Sequence, residues 1–359
     1  MPKRYSSKPR APRTKKGQAF VDEERFGRLK EGEGKNPFYV NLVSRFRIQD
    51  GYLKRFLLVL FFPIQLVLFF SAAYSYGSLF AVLYASFGIL EGLSGQRRRA
   101  GHVITNKKFK SKRRSRAQTR ESLTLVCISD THMRHKYFDD TFPNGDVLVH
   151  TGDASNFGSF NELKEFALWF AQQPHKYKIF VPGNHDMLFD EKFYDVYYKE
   201  WTIGKKESSL KIKQLMEKLG IIVLIDESIV IENIKFYGSP WTIIEHPWQT
   251  AFQLPADKMV TKWKHIEEDT DVLLTHSPPY GILDKCLFGG SNTGCRDLMR
   301  VVKEKIKPAV HVYGHEHGEP GIQQHIYQSG QCTYFGNAAS VSEYYITRRN
   351  PLVFSITLS

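Results

Sequence analysis

The strongest constraint on the fold is a set of five short apolar runs, each followed at once by side chains that can bind a metal ion. Runs of this length, separated by segments with helical patterns, predict an α/β fold built in layers. Ligand sites in such folds lie at strand ends, because the strand fixes the position and the loop exposes the side chain. We therefore expect the five run ends to meet in one pocket. The runs are Leu123–Ser129 before Asp130-Thr131-His132, Val147–Thr151 before Gly152-Asp153, Lys178–Pro182 before Gly183-Asn184-His185-Asp186, Val272–Thr275 before His276, and Ala309–Tyr313 before Gly314-His315-Glu316-His317.

The side chains at these run ends suit two transition-metal ions. Carboxylate, amide oxygen and imidazole together match manganese, iron or zinc better than calcium or magnesium, which take almost only oxygen. Asp130 and His132, with one residue between them, can bind a single ion, whereas His315 and His317 can be shared between two ions. A lone fragment of this kind is more often structural, so the prediction depends on all five fragments occurring in order.

Glycine comes directly before three of the candidate ligands, Asp153, Asn184 and His315. Because glycine has no Cβ, we expect tight backbone turns there that aim the ligands inward. Two further histidines, His150 and His311, lie inside the apolar runs, and we expect them to be core residues or to support the ligands.

Local signals place two secondary-structure elements around this pattern. Ser159 and Glu162 have the spacing of a capping box, which predicts a helix that begins there and ends near Gln172. The runs 229–231 and 234–237 are separated by two residues, which predicts a β-hairpin. Trp241 and Trp248 flank a proline-containing loop that either walls the pocket or packs in the core.

The order of the motifs D-x-H, G-D, G-N-H-[DE], H and G-H-x-H resembles that of the calcineurin-like metallophosphoesterase superfamily. The resemblance implies a β-sandwich flanked by helices, in α/β/β/α layers. It also implies that His185 faces the leaving group and that Asp186 orients His185. For the metals, it implies one ion held by Asp130, His132 and His317, a second held by Asn184, His276 and His315, and Asp153 as the bridge between them.

Four further motifs are similar to those of the metallophosphoesterase-domain-containing subfamily. They are Tyr237-Gly238-Ser239-Pro240-Trp241, Thr275-His276-Ser277-Pro278-Pro279, Gly289-Gly290-Ser291 with Gly294-Cys295, and His311-Val312-Tyr313-Gly314-His315. This resemblance implies a manganese-dependent phosphodiesterase acting on small esters of the cyclic-nucleotide kind. Lipid-linked esters are a further possibility, because an apolar segment precedes the domain. Because both histidines of the last motif are present, we expect an active enzyme.

The expected chemistry follows from two cations about 3.5–4 Å apart, which bind phosphoryl oxygens and lower the pKa of a bridging water. The resulting hydroxide attacks phosphorus in line, and His185 stabilises or protonates the departing oxygen. Two other functions stay open. One is a phosphomonoesterase or protein phosphatase on the same fold, and the other is a catalytically idle scaffold anchored to a membrane.

The chain upstream of the predicted catalytic domain contains 35 consecutive uncharged residues, Phe56–Leu90. A membrane span needs roughly 20 residues, so this segment predicts either one tilted span or a helical hairpin. Basic residues flank both ends, which favours a hairpin with both ends in the cytosol. The predicted regions are a basic flexible arm at 1–50, a membrane segment at 51–95, a basic linker at 96–120 and the catalytic domain at 121–359.

The net charge of +13 lies outside the predicted catalytic domain. Residues 1–19 contain seven Lys or Arg and residues 93–120 contain eleven, with no acid in either stretch, whereas residues 121–359 contain 24 basic and 30 acidic residues. This distribution disfavours nucleic acid as a partner and favours attraction of the linker to anionic lipids. We expect a membrane-anchored protein with its catalytic domain facing the cytosol. A mitochondrial presequence at the acid-free start is the minority alternative.

Overall fold

The computed structural model describes residues 102–109, 122–138, 142–201, 205–244, 250–286, 290–342 and 349–358, all within one compact unit. The described residues contain fourteen strands. In chain order these are β1 His102–Phe109, β2 Ser122–Ile128, β3 Val147–His150, β4 Tyr177–Phe180, β5 Ile221–Val223, β6 Glu227–Ile231, β7 Ile234–Ser239, β8 Thr242–Ile243, β9 Gln253–Leu254, β10 Val272–Thr275, β11 Val310–Tyr313, β12 Gly321–Ile326, β13 Cys332–Asn337 and β14 Leu352–Leu358.

Five α-helices lie between these strands in the described part of the chain. They are α1 Phe160–Gln172, α2 Glu191–Trp201, α3 Ser209–Lys218, α4 Val260–Trp263 and α5 Arg296–Val301, the last continuing as a π-helical turn, Val302–Ile306. The predicted helix start is confirmed, because Ser159 and Glu162 form a complete capping box at the beginning of α1.

The strands form two six-stranded sheets and one small pair. The first sheet has the order β1-β14-β2-β3-β4-β5, the second has the order β12-β13-β11-β10-β7-β6, and β8 pairs with β9. Strands β2 to β5 run parallel, as do β13, β11, β10 and β7. The predicted hairpin is confirmed as the antiparallel pair β6–β7, and its turn residues Glu232 and Asn233 both have positive φ, as a tight hairpin turn requires.

The two large sheets pack face to face through one buried apolar cluster. It joins alternate residues of β2, such as Leu125 and Cys127, to Phe236, Leu274 and Val312 of the second sheet. The intervening residues of each strand point the other way, because side chains alternate along a strand. The mixed α/β fold is therefore as predicted, with one of its two apolar cores between the sheets.

The outer faces of both sheets are covered by helices. Val126 and Ile128 of β2 belong to the same apolar cluster as Phe166 of α1. On the second sheet, Leu273 shares this cluster with Trp263 of α4. This arrangement gives the helix, sheet, sheet, helix layers that the resemblance implies.

Strand β1 lies within the range predicted as a basic linker, and the sequence pattern did not predict it. It pairs in parallel with β14 at the edge of the first sheet, in the register His102↔Val353. The predicted flexible arm and membrane segment lie outside the described residues. None of the helices described here is both long and apolar enough to span a bilayer.

Candidate metal centre

The predicted ligands follow the carboxyl ends of five strands that run parallel within their own sheets. Asp130, Asp153 and Asn184 follow β2, β3 and β4, which are neighbours in the first sheet. His276 follows β10 and His315 follows the neighbouring strand β11 in the second sheet. Because parallel strands end at one edge of a sheet, all these loops lie at the same edge of the sandwich.

The ligand atoms form two compact groups. In group one, the ligand atoms of Asp130, His132 and His317 lie within 4.8 Å of one another, and all three residues are buried. In group two, those of Asp153, His276 and His315 lie within the same distance of one another. Group one contains the three residues that the resemblance implies for one ion, and group two contains His276 and His315 of the other set together with Asp153.

Asp153 lies between the two groups. Its Oδ2 is 3.8 Å from His132 Nε2 in group one and 3.4 Å from His276 Nε2 in group two. Asn184 adds its amide oxygen to group two, with Oδ1 3.0 Å from His276 Nε2. The groups also touch through the backbone, because His315 N donates to the carboxylate of Asp130 at 3.0 Å. All seven predicted ligands thus meet in one place, with Asp153 where a bridge between two ions would stand.

The donor atoms of group two fit a cation. His276 Nδ1 is 2.8 Å from the carbonyl oxygen of Thr151, which can only accept, so Nδ1 carries the proton. In the neutral ring, Nε2 then presents a lone pair to Asn184 Oδ1 and Asp153 Oδ2. Burial alone would lower the pKa of His276, but the charge of Asp153 raises it above its usual value. The cluster therefore attracts positive charge, which a divalent ion would supply.

Group one has the same electrostatic character. Burial opposes ionisation of Asp130, yet the hydrogen bond and charge of His317 lower the pKa of Asp130 to about 2. Burial lowers the pKa of His132 to about 3, so its ring is neutral at pH 7. An ionised carboxylate beside a neutral imidazole is the ligand state that a metal ion requires.

The backbone at these ligands is strained. Asp130, His132, Asp153 and His315 have φ values of 51°, 41°, 56° and 69°, in the left-handed region that side chains other than glycine rarely adopt. Such conformations cost about 1–3 kcal/mol each and persist where the surrounding structure enforces them, often at functional sites. Four of the seven predicted ligands share this property.

The glycines before the ligands act mainly by leaving space. Gly152 has the positive φ, 113°, that we expect for a turn, but Gly183 and Gly314 do not have a positive φ. A Cβ at Gly183 would overlap Asp153, and one at Gly314 would overlap Asp130. The expected tight turn thus applies to Gly152, whereas the other two glycines allow neighbouring loops to approach a ligand.

His185 lies half-buried at the edge of group one. Its ring centroid is 5.0 Å from that of His132, and its backbone N donates to Asp153 Oδ1 at 2.8 Å. Its Nδ1 is 2.8 Å from the carbonyl oxygen of Asn156, so Nδ1 donates there. Nε2 is the ring atom left to exchange a proton with a substrate.

The expectation that Asp186 orients His185 is wrong. The Asp186 carboxylate accepts hydrogen bonds from the backbone N of Ser155 at 3.0 Å, from Ser155 Oγ at 2.7 Å and from Gly183 N at 2.8 Å. Asp186 therefore links the loop after β3 to the loop after β4. The carbonyl oxygen of Asn156 orients the His185 ring instead. Burial, together with the charge of Asp153, raises the pKa of Asp186 to about 6.

The two strand histidines support the ligand loops, as expected. Gly152 N donates to His150 Nδ1 at 3.2 Å, so His150 Nε2 carries the proton and donates to Thr131 Oγ1 at 3.0 Å. His311 Nε2 lies 2.8 Å from Thr275 Oγ1, beside His276. Burial lowers the pKa of both histidines to about 3, so both rings are neutral.

Asn337 is a supporting residue that the sequence reasoning missed. Its Nδ2 donates to the carbonyl oxygens of Leu283 at 3.0 Å and of Glu316 at 2.7 Å, and its Oδ1 accepts from Ala339 N at 3.0 Å. It thereby fixes the peptide between His315 and His317. The available signal was the apolar run that ends at Gly336-Asn337, a sixth run end of the same kind.

Comparisons with known proteins agree with this geometry. The sequence profile described as "Calcineurin-like phosphoesterase" matches residues 123–319, more than half of the chain. The chain is 34% identical over 240 residues to metallophosphoesterase domain-containing protein 1 of Homo sapiens, covering 65% of this chain and 70% of that protein. It is 36% identical over 240 residues to a UPF0046 protein of Caenorhabditis elegans, covering 65% of this chain and 75% of the relative. Members of this family are dinuclear metal-dependent hydrolases of phosphoric esters. The chain belongs to the calcineurin-like phosphoesterase family.

Proposed function

We propose that this protein is a phosphodiesterase that hydrolyses small phosphate esters with two divalent cations, manganese first among them. The position of Asp153 carries the proposal, because its Oδ2 faces a histidine of each group, at 3.8 and 3.4 Å. When bound, the two cations supply Lewis-acid stabilisation of the phosphoryl oxygens and a nucleophile at neutral pH.

Residues of this chain bind and orient the substrate in the proposed reaction. Group one and group two meet at Asp153, and with a cation in each they would hold a phosphoryl group between them. His185 lies beside group one with Nε2 free of the Asn156 contact, so that a ring protonated on both nitrogens can give the Nε2 proton to the departing oxygen. Asn156 keeps the ring in the orientation that this transfer needs.

The charge of the site favours a diester over a monoester. Within the described residues, Asp130 and Asp153 form ion pairs with histidines alone, and no Lys or Arg side chain pairs with them. A phosphomonoester dianion carries one more negative charge than a diester and gains more from a neighbouring Lys or Arg. The family resemblance suggests small esters of the cyclic-nucleotide kind, and the apolar segment upstream of the domain adds lipid-linked esters.

The test compares bis-p-nitrophenyl phosphate with p-nitrophenyl phosphate in the presence of Mn²⁺. We expect faster turnover of the diester, loss of activity with a chelator, and a fall of about 10²–10⁴-fold in kcat for His185→Gln with Mn²⁺ binding unchanged. Faster turnover of the monoester would identify a phosphomonoesterase instead. If wild type and His185→Gln hydrolyse both esters only at the same background rate, the protein is not an enzyme and the scaffold function is favoured.

We further propose that the protein is anchored to a membrane with its catalytic domain facing the cytosol. The support is the uncharged segment Phe56–Leu90 with basic residues at both ends. The test introduces one cysteine before Lys54 or after Arg99 and measures labelling by an impermeant reagent in sealed vesicles, with the parent chain as control for its own four cysteines. Labelling of both positions from the cytosolic side indicates a hairpin, and labelling from opposite sides indicates a single span. Release of the protein by alkaline carbonate would contradict anchoring.

A further inference from the structure

The segment 250–252 approaches the loop that carries Asn184 through three consecutive residues. Asn184 Nδ2 donates to Thr250 Oγ1 at 3.0 Å, Ala251 N donates to the carbonyl oxygen of Asn184 at 3.2 Å, and Phe252 N donates to Asp190 Oδ2 at 2.8 Å. Both the side chain and the backbone of Asn184 are therefore held from this one segment. Sixty-six positions separate Thr250 from Asn184, so the contact is a product of the tertiary fold.

The segment is itself held in a fixed position. Gln253 Oε1 accepts from Thr250 N at 2.9 Å, and Phe252 has a positive φ of 52°. The carbonyl oxygen of Phe252 accepts from Thr242 N at 2.9 Å, beside the short β8–β9 pair. Thr250, Gln253 and Asn184 are all buried, so each polar atom there needs a partner within the protein.

The orientation of the Asn184 amide decides whether group two can accept a cation. A cation needs Oδ1, but a reversed amide would point Nδ2 at the lone pair of His276 Nε2, 3.0 Å away, and form a hydrogen bond that competes with the metal. With Oδ1 toward His276, Nδ2 needs an acceptor on its other side. The hydroxyl of Thr250 is that acceptor.

We propose that residues 250–252 form a clamp on Asn184 and that Thr250 is a positioning residue, which keeps the amide oxygen of Asn184 directed at the cation of group two. The inference rests on the proposed function, because it concerns one of the two cations. It gives a role to part of the segment between β7 and β9, of which the structure describes residues 240–244 and 250–252. Within that segment Trp241 is buried, and its Nε1 donates to Asp226 Oδ2 at 2.8 Å, so it packs in the core and anchors the segment.

Thr250→Val removes the acceptor with almost no change of shape, and Thr250→Ser restores it. Thr242→Val is the matched control, because Thr242 is buried in the adjacent strand β8 and its Oγ1 has no hydrogen-bond partner among the described residues. Loss of a group that orients a metal ligand lowers metal affinity by roughly 10- to 100-fold.

The measurement is calorimetric titration of the full, metal-free chain with Mn²⁺, with thermal unfolding in chelator as the check on folding. We expect the wild-type chain to bind two Mn²⁺ ions. In Thr250→Val the affinity for one of them should fall roughly 10- to 100-fold. Thr250→Ser and Thr242→Val should bind both ions as the wild type does. If Thr250→Val binds both Mn²⁺ ions with wild-type affinity, the clamp proposal is wrong and the proposed function is unaffected. Failure of the wild type to bind two ions would overturn the proposed function itself. If Thr250→Val unfolds early in chelator, Mn²⁺ affinity of Thr250→Ser against Thr250→Ala decides the question, since only the hydroxyl distinguishes them at this contact.

Discussion

The two ligand groups differ in the charge that they bring to a cation. Group one has a carboxylate of its own, Asp130, whereas group two has the neutral amide of Asn184 in the corresponding place. Both groups draw on Asp153. Because ligand charge strongly tunes the affinity of oxygen-ligated ions, we expect that group one would hold a cation more firmly than group two and that group two would exchange its cation more readily.

The groups also differ in how the fold builds them. Two ligands of group one, Asp130 and His132, come from a single strained turn after β2, with positive φ at both residues. Group two collects its ligands from the ends of β3, β4, β10 and β11, and its neutral oxygen ligand depends on a remote segment for its orientation. A short turn can be positioned locally, but a dispersed group needs long-range contacts.

The largest expected effect comes from removing the charge that both groups share. Asp153→Asn keeps the side-chain shape, and asparagine tolerates the positive φ of 56° at this position. We expect kcat/KM for bis-p-nitrophenyl phosphate with Mn²⁺ to fall about 10³-fold, which corresponds to about 4 kcal/mol of lost stabilisation. Calorimetry should show both ions weakened.

The exposed Asp257→Asn is the control for Asp153→Asn, since it removes a carboxylate from a surface turn. It should behave as wild type in both measurements. Should only one ion weaken in Asp153→Asn, the two groups would be independent and Asp153 would belong to one of them alone.

An intermediate effect is expected on the pH dependence of stability in the metal-free protein, from the buried neutral histidines His311 and His150. His311 has a folded-state pKa of about 3, against about 6.5 in an unfolded chain, because burial disfavours the charged ring. Between these values the unfolded chain binds more protons, so the stability is present above about pH 6.5 and is lost as pH falls. From pH 7 to pH 5 this amounts to about 2 kcal/mol.

His311→Gln removes the titration while its amide can still bond to Thr275. The difference in unfolding free energy between wild type and His311→Gln, measured by urea in chelator, should shift by about 2 kcal/mol in favour of the variant between pH 7 and pH 5. His150→Gln should show a shift of the same sign, because burial also lowers the pKa of His150 to about 3. Parallel stability curves for variant and wild type would contradict the neutral state of the rings.

The smallest expected effect tests whether charge sets the difference in cation affinity between the groups. Asn184→Asp gives group two a carboxylate of its own, and we expect its Mn²⁺ to bind about tenfold more tightly, or about 1.4 kcal/mol. The metal-free variant should unfold at lower temperature, because two carboxylates then face each other near His276. Unchanged affinities at both sites would show that charge does not set the difference between them.

The ligands were predictable because their signal is local. An apolar run followed at once by Asp, Asn or His is visible in a few residues, and parallel strands bring such ends to one edge. The helix α1 and the hairpin β6–β7 were predictable for the same reason. Strand β1 was not, since its lysine-rich sequence resembles a linker and its edge position depends on pairing with β14, about 250 residues further along the chain.

The sequence by itself determined which side chains form the centre, their order, and the family to which the chain belongs. The family resemblance implied how they divide into two groups, but only the tertiary structure brought His317 within 3.4 Å of Asp130 across the sandwich. It also decided that Asp186 ties loops instead of orienting His185, and that Thr250 and Asn337 hold the ligands. The physical reason is the same in each case. These contacts join residues far apart in the chain, and they depend on how the sheets and loops pack, which no local pattern of residues encodes.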